Sequence, residues 1–250
     1  MIKVCIAGSS GKMGKAIAET VLSTSGIEIG AFLEKPDSPD IGKTIKGVRV
    51  NSDIKDSLSC GCLIDFTSPA ATLEHLSVFE GSAVIGTTGF TAAQTDEIKK
   101  YAEKFPVVFA PNMSKGVNLF FSLVRQAAEK LKDYDIEIVE AHHNKKKDSP
   151  SGTALKLAEE IKSVRDLQDV YGRHGMTGER KKAELGIHSV RAGDIVGEHS
   201  VLFAGPGECF EISHRAYSRN CFAEGAVAAA LWLDCKKPGL YTMSEVLGLR

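Results

Sequence analysis

The first half of the chain alternates short apolar runs with segments in which apolar residues recur at helical spacing. The apolar runs, which predict β-strands, span residues 2–7, 27–33, 62–66, 83–85 and 107–110. The segments of helical spacing between them span residues 13–22, 70–79 and 92–104. Strands that are apolar at nearly every position are typical of a parallel sheet that helices cover on both faces. The pattern therefore predicts a doubly wound α/β domain with a parallel sheet.

The pattern changes after Asn112. A predicted helix over residues 117–131 leads to a strand-like run over residues 135–143, and a further helix opens near Ser151. From residue 186 to residue 215 polar and apolar residues alternate, which is typical of an antiparallel sheet with one solvated face. We therefore expect a second α+β domain with a mostly antiparallel sheet.

The C-terminal segment 222–233 again has helical spacing. Gly225 and several alanines in this segment allow close packing, so that it is able to return and cover the first sheet. We expect residues 1–112 and 220–250 to form the first domain and residues 113–219 to form the second.

Composition and charge narrow the class of protein. Of the 250 residues, 43% are hydrophobic and 25% are charged, which is close to the averages for globular proteins and argues against a disordered or fibrous chain. The 31 basic and 32 acidic residues nearly cancel, so no global field favours nucleic acid or an anionic membrane. The six cysteines form no CxxC pair, no apolar run is long enough to span a membrane, and the chain starts without a signal-peptide pattern. We expect a cytoplasmic protein.

A glycine-rich turn directly follows the first predicted strand. It has the sequence GSSGKMG over residues 8–14 and opens a helix, as a turn does when its backbone N–H groups hold a pyrophosphate. Its G-x-x-G-x-x-G spacing departs from the usual G-x-G-x-x-G, so an ordinary glycine turn is the alternative. Glu34 lies 20 residues after Gly14, at the end of the second strand, where a carboxylate reaches the adenosine ribose. The two features predict a Rossmann-like domain that binds a nicotinamide dinucleotide.

Lys35 and two further strand ends extend this prediction. Lys35 stands where a 2′-phosphate would lie, and a solvated loop lysine is the alternative. The sequence GTTG follows one strand at residues 86–89, and APNM ends another at residues 110–113. Ligands of open α/β sheets bind outside the carboxyl ends of the strands, so these segments leave room for a nicotinamide ring. Plain turn chemistry is again the alternative.

Residues 140–153 contain the densest group of chemically active side chains in the chain. Adjacent residues of a strand point to opposite faces, so His142 and His143 have different environments, and one imidazole is available for proton transfer. Lys146 adds a positive charge beside them. Residues 151–153 open a helix whose first N–H groups attract a carboxylate or phosphate. The segment therefore predicts a site for a small anionic substrate.

Each part of this segment also has an ordinary structural interpretation. A histidine is often a structural residue, a lysine run is usually solvated, and a serine at a helix start is often only a cap. A metal site is not indicated, because adjacent histidines lack the i, i+4 spacing of helical ligands and no third ligand is evident. The occurrence of all three features within one short segment, downstream of a dinucleotide-binding pattern, favours the substrate site.

These motifs resemble those of the 4-hydroxy-tetrahydrodipicolinate reductase family, which is also called dihydrodipicolinate reductase. The resemblance covers essentially the whole chain, and its most specific motif is EAHHNKKKDSPSGTA at residues 140–154. The other shared motifs are GSSGKMG at residues 8–14, GTTG at 86–89, APNMSKGVN at 110–118, VRAGDIVGEH at 190–199 and AEGAVAAALWL at 223–233.

The resemblance implies the reduction of a cyclic dicarboxylate imine by NADH or NADPH, in diaminopimelate and lysine biosynthesis, by a homotetramer assembled through the second domain. It implies that His142 is the proton donor or acceptor and that Lys146 is its partner proton donor. The implied substrate contacts are His143, Ser151, Gly152 and Thr153. The implied cofactor contacts are Gly8, Ser9, Ser10, Gly11, Lys12, Met13, Glu34, Lys35, Gly86, Thr87, Thr88, Ala110, Pro111, Asn112 and Met113.

Cofactor preference and two other classes of protein stay open at this point. Lys12 and Lys35 stand where arginine is common in the family, and lysine lacks the planar fork that grips a phosphate with two hydrogen bonds. A semialdehyde or sugar dehydrogenase of similar layout is one alternative, although none of the cysteines occupies a nucleophile motif. A dinucleotide-sensing module without catalysis is the other, but it predicts damage at His142 and Lys146, and both are present.

Overall fold

The computed structural model describes residues 1–249 as alternating strands and helices. The strands are β1 (Ile2–Ala7), β2 (Ile27–Leu33), β3 (Thr44–Ile45), β4 (Val48–Asn51), β5 (Cys62–Asp65), β6 (Ser82–Ile85), β7 (Pro106–Phe109), β8 (Asp135–His142), β9 (Gln168–Tyr171), β10 (Glu184–Arg191), β11 (Gly197–Gly205), β12 (Glu208–Ala216) and β13 (Gly239–Tyr241). The helices are α1 (Lys12–Leu22), α2 (Pro69–Val78), α3 (Ala92–Ala102), α4 (Lys115–Lys130), α5 (Gly152–Lys162), α6 (Asn220–Leu233) and α7 (Met243–Val246), and a 3-10 helix spans Ile54–Ser57. None of the helices described is long and apolar enough to cross a membrane.

The described chain divides into two compact units. The first contains Met1–Lys115 and Arg219–Leu249, and the second contains Gly116–Ser218. Residues 113–115 and Arg219, which we expected in the second domain, fall in the first unit. Arg250, the last residue of the predicted first domain, lies outside the described residues.

The sheet of the first unit has the strand order β13-β7-β6-β5-β1-β2-β4-β3 and is parallel except for the β3–β4 pair at one edge. Successive residues of β1 point to opposite faces. Val4 and Ile6 belong to a buried cluster that includes residues of α1 and α6, whereas Cys5 and Ala7 belong to a cluster with residues of α2 and α3. Burial on both faces explains the continuous apolar runs, and the predicted doubly wound α/β fold is confirmed.

Helix α6 brings the C-terminal segment back onto this sheet. It packs against α1 and near β5, β6 and β7. Small residues make the approach close, since a Cβ atom on Gly225 would overlap the carbonyl oxygen of Met113. The prediction that residues 222–233 return to cover the first sheet is therefore confirmed.

The sheet of the second unit is mixed, with the strand order β12-β11-β8-β10-β9. β11 is antiparallel to both β8 and β12, and these two ladders contain more residue pairs than the parallel ladders of β10 with β8 and β9. The predicted mostly antiparallel sheet is thus present, but β10 itself has only parallel neighbours. Alternation of polar and apolar residues reports that one sheet face is covered, and it carries no information on strand direction.

Several short elements were not predicted. β3, β4, β9, β13 and α7 each contain no more than four residues. Elements this short contain too few residues to show a helical repeat or a strand-like alternation of apolar positions.

Candidate active site

The glycine-rich turn between β1 and α1 has the backbone that its sequence predicts. Gly8 has φ +78°, a left-handed conformation that favours glycine, and a Cβ atom there would lie 2.9 Å from the carbonyl oxygen of Phe66. A Cβ atom on Gly14 would overlap the backbone of Gly8 and Ser9. The turn therefore leaves no room for side chains at these two positions and is compatible with the close approach of a pyrophosphate.

A cleft of about 1030 Å³ in the first unit is lined by this turn and by the end of β2. The residues that line it include Gly8, Ser10, Gly11, Glu34 and Lys35. Glu34 accepts a hydrogen bond from the backbone N–H of Ser10, at 2.6 Å from N to Oε1. The ammonium group of Lys35 lies 3.1 Å from Asp37 Oδ2, and both of these side chains are largely exposed. Five of the predicted cofactor residues are thus brought to one cleft.

The remaining predicted cofactor residues do not line this cleft. Ala110 and Met113 are buried in the hydrophobic core, so only their backbone atoms are available to a ligand. Ser9 is also buried, and Met13 packs against the same core as Ala110. Lys12, Thr88 and Pro111 are exposed, whereas Gly86 and Asn112 are half-buried.

A buried carboxylate at the end of β5, which we did not predict, organises the wall of the cleft. Oδ1 of Asp65 accepts hydrogen bonds from the backbone N–H of Thr67 and from the hydroxyls of Thr67, Thr72 and Thr87, over 2.6–3.0 Å. Oδ2 lies 2.7 Å from Nδ1 of His75. Because β5 neighbours β6 in the sheet, the rule on strand ends that singled out residues 86–89 would also have found this position.

In the second unit, His142 ends β8 and is held by a buried carboxylate. Its Nδ1 lies 2.6 Å from Oε2 of Glu140, whose side chain is fully buried. Burial by itself would raise the pKa of Glu140, but hydrogen bonds from His142 and Arg191 outweigh burial and hold that pKa well below its usual range. Glu140 is therefore ionised at neutral pH.

The same carboxylate is bonded to the start of α5. The backbone N–H of Ser151 donates to Oε1 of Glu140 at 3.1 Å. Ser151 caps the helix, since its hydroxyl oxygen accepts from the N–H of Ala154 at 3.2 Å. Gly152 is exposed, with open space where a Cβ atom would stand, and Thr153 is half-buried. The predicted substrate residues at this helix start are thus joined to His142 through Glu140.

His199 on β11 is a further histidine at this site and was not predicted to take part. Its Nε2 lies 3.0 Å from the Ser151 hydroxyl oxygen, and its ring centroid lies 5.1 Å from that of His142. Burial, and then the nearby His142, lower the pKa of His199 to about 3. His199 is consequently a neutral ring at physiological pH.

Lys146 is less exposed than the two lysines beside it. Lys145 and Lys147 are exposed, whereas the Lys146 side chain is 21% exposed and its ammonium group lies 2.8 Å from Asp148 Oδ2. Nδ1 of His143 is buried without a hydrogen-bond partner among the described residues. Within residues 1–249, no group of three or more His, Cys, Asp or Glu side chains is placed to hold a metal ion.

Comparisons with known proteins cover both units. Residues 2–113 match the family model described as dihydrodipicolinate reductase, N-terminus, and residues 116–247 match dihydrodipicolinate reductase, C-terminus. A relative named 4-hydroxy-tetrahydrodipicolinate reductase, from Ralstonia pickettii (strain 12J), is 50% identical over 99% of this chain and 100% of its own length. The relative of the same name from Nitrosomonas eutropha is 47% identical over 100% of this chain and 99% of its own length.

A solved structure shares the complete fold. The dipicolinate-bound dihydrodipicolinate reductase from Paenisporosarcina sp. TG-14 has a TM-score of 0.82 and 29% sequence identity, with 98% of each chain covered. Because the family models match nearly every residue and the relatives are similar over their full length, the chain belongs to the dihydrodipicolinate reductase family.

Proposed function

We propose that this chain catalyses the NAD(P)H-dependent reduction of 4-hydroxy-tetrahydrodipicolinate to tetrahydrodipicolinate, a step of diaminopimelate and lysine biosynthesis. Relatives that are 45–50% identical over the full length are named for this reaction. The observation that carries the proposal is the pairing of His142 with Glu140 beside the start of α5. This pairing would bring a proton donor, His142, and a binding site for carboxylates, the start of α5, together within the second unit.

The cleft of the first unit is the proposed cofactor site. The left-handed Gly8 and the close contact of Gly14 with the turn make the cradle that a pyrophosphate requires. Glu34 is available to the adenosine ribose hydroxyls, and Lys35 to a 2′-phosphate. The residues therefore fit a nicotinamide dinucleotide, and we propose that both NADH and NADPH are accepted.

When bound, the reduced nicotinamide supplies a hydride to the conjugated ring of the substrate. The net reaction adds that hydride and one proton and releases one water. We assign that proton to His142, because an imidazole exchanges protons near neutral pH. We assign Lys146 as the partner donor that protonates the departing hydroxyl, and the loss of a proton from the neighbouring ring carbon balances this second transfer. The first N–H groups of α5, at Gly152 and Thr153, hold a substrate carboxylate with help from His143 and Ser151. The dipicolinate bound to the solved relative is a dicarboxylate of this kind.

The decisive experiment is an absorbance assay at the nicotinamide band. Freshly generated 4-hydroxy-tetrahydrodipicolinate is added to the chain with NADH or NADPH, and we expect substrate-dependent loss of reduced cofactor with both. Omission of the substrate and omission of the chain are the controls. No substrate-dependent oxidation of either cofactor would refute the proposed function.

We further propose a cytoplasmic homotetramer assembled through the second unit. Helices α4 and α5 share one buried cluster with β8 and β11, and on the opposite face of these strands Val139 and Leu202 are only half-buried. The proposal rests on the resemblance to the family, because the cross-strand neighbours of Val139 and Leu202 on that face are the polar Ser200 and the charged Glu137. Light scattering should give a mass about four times the 26.8 kDa of one chain; a monomeric mass would contradict the proposed assembly.

A further inference from the structure

Glu140 is the most heavily bonded buried carboxylate of the second unit. Each of its oxygens accepts a hydrogen bond from the Arg191 guanidinium at 2.8 Å. Oε2 also lies 2.6 Å from Nδ1 of His142, and Oε1 accepts from the Ser151 N–H at 3.1 Å. With four such contacts, the carboxylate has one well-defined orientation and stays ionised.

The ionised carboxylate of Glu140 determines which ring nitrogen of His142 exchanges its proton. A carboxylate only accepts hydrogen bonds, so Nδ1 of His142 must be the donor to Glu140. Nε2 is then the nitrogen that gains and loses a proton during the reaction. Its surroundings are kept open by Gly197 of β11, where a Cβ atom would stand 3.2 Å from Nε2.

Arg191 extends the network to the second predicted proton donor. One Arg191 nitrogen that bonds Glu140 also donates to the backbone oxygen of Asp148, at 2.7 Å. The Asp148 carboxylate lies 2.8 Å from the ammonium group of Lys146. A continuous chain of ion pairs and hydrogen bonds thus connects His142 to Lys146 through Glu140 and Arg191.

We propose that Glu140 is a positioning residue for catalysis. Its carboxylate fixes the ring and the tautomer of His142 so that Nε2 presents the proton, while Arg191 and the Ser151 N–H fix the carboxylate. The same bond to Ser151 ties the orientation of the proton donor to the helix start that holds the substrate. This role rests on the proposed function, in which His142 is the proton donor.

Glu137, on the same strand β8, provides a matched control for substitutions at Glu140. Glu137 is also paired with arginine, through Arg173 and Arg180, but it lies three residues before Glu140 and therefore on the opposite face of the strand. A substitution at Glu137 removes a comparable ion pair from the same strand without touching His142. A general weakening of the unit would appear in both variants, whereas loss of positioning would appear only at Glu140.

The kinetic test compares Glu140→Gln with Glu137→Gln and His142→Gln. We expect Glu140→Gln to lower kcat by about tenfold or more, with little change in the KM for NADH, while Glu137→Gln stays near wild type. His142→Gln should lose about 10²-fold or more, the usual contribution of a general acid. If Glu140→Gln and Glu137→Gln have equal kcat values, Glu140 has no positioning role. An inactive wild-type chain would instead refute the proposed function.

The pH dependence of kcat gives a readout that a purely structural role would not change. The groups around His142 are Glu140, the Arg191 guanidinium and His199, and His199 stays neutral because its pKa is lowered to about 3. A neighbouring carboxylate favours the protonated imidazole, so in Glu140→Gln the decline of activity at high pH should begin at a lower pH than in wild type. An unchanged profile would overturn the proposal.

A spectroscopic measurement tests the geometry in the wild-type chain, without any variant. Long-range ¹H–¹⁵N correlation spectra distinguish the two neutral tautomers of a histidine, and we expect His142 to be protonated at Nδ1. The Nε2–H tautomer would overturn the proposal. Gly197→Ala provides a second variant, because its Cβ crowds Nε2 and leaves Glu140 in place, and kcat should fall by about tenfold. Wild-type kcat in that variant would contradict the assignment of Nε2.

Discussion

At the residue scale, Lys35 offers a test of how the proposed cofactor cleft distinguishes NADPH from NADH. Its ammonium group pairs with Asp37, and both side chains are largely exposed. An exposed ion pair contributes at most about 1 kcal/mol, so exchange of Asp37 for a 2′-phosphate requires little energy. If Lys35 binds the 2′-phosphate as proposed, we expect this single flexible lysine, which lacks the planar fork of arginine, to favour NADPH only modestly.

We predict that Lys35→Ala raises the KM for NADPH by about fivefold and leaves the KM for NADH nearly unchanged, since only NADPH carries the 2′-phosphate. Initial rates at saturating substrate measure both constants. Lys43→Ala is the matched control, because Lys43 is also exposed and paired with an aspartate, at 2.9 Å, but does not line the cleft. An equal effect of Lys35→Ala on both cofactors would exclude recognition of the phosphate by Lys35.

The burial of Lys146 and the contacts of Glu140 are two features that the sequence does not predict. Charge and hydrophobic patterns do not distinguish the three lysines at residues 145–147. The family motif singles out Lys146, and the structure shows that Lys146 is the half-buried one. Glu140 stands in the recognised motif, but its role depends on contacts with Arg191 and Ser151, which are 51 and 11 residues away in the chain. Contacts between residues so far apart in the chain depend on which elements become neighbours in the fold, and no local hydrophobic period records that order.

At the element scale, the start of α5 combines a stabilising cap with the proposed binding surface for a substrate carboxylate. Ser151 accepts from the N–H of Ala154, and Gly152, the first residue of the helix, is exposed. The Ser151 hydroxyl also contacts the buried His199. The cap is therefore connected to β11, the strand that pairs with β8 beside His142, the proposed proton donor.

We predict that Ser151→Ala destabilises the chain by about 1 kcal/mol, the usual cost of a lost cap, and raises the KM for the dicarboxylate substrate. Thr91→Ala is the control, since Thr91 caps α3 through a capping box and lies outside both proposed sites. Denaturant unfolding should show similar losses of stability in the two variants, and only Ser151→Ala should change the substrate KM. If the substrate KM rose in both variants, the rise in Ser151→Ala would be a consequence of lost stability alone.

At the scale of the whole molecule, hydrophobic patterning predicted the long elements and the fold class. β1 and β2 begin and end where the apolar runs do. The order β12-β11-β8-β10-β9 was beyond prediction, because β10 and β11 are consecutive in the chain yet lie on either side of β8. Such a crossover between consecutive strands belongs to the arrangement of the whole sheet, and no local pattern records it.

The ion-pair network around Glu137 makes the stability of the molecule sensitive to acid. Burial by itself would raise the pKa of Glu137, but hydrogen bonds from Arg173, His188 and Arg180 outweigh burial and lower the pKa from 4.5 to about 2. A carboxyl group whose pKa is lower in the folded chain than in the unfolded chain stabilises the fold above the unfolded pKa. That stabilisation amounts to up to about 3 kcal/mol and is lost as the pH falls from about 4.5 to about 2.

We predict that Glu137→Gln lowers the free energy of unfolding at pH 7 and that its difference from wild type shrinks between pH 4.5 and pH 2. Urea unfolding followed by far-UV circular dichroism across this range measures the difference. Glu97→Gln is the control, because Glu97 pairs with Lys100 on an exposed face of α3, where an ion pair contributes little. A difference between Glu137→Gln and wild type that stays constant with pH would mean that the carboxyl group has the same pKa in the folded and unfolded chains. The arginines would then hold the segment between β9 and β10 without stabilising the charge of Glu137.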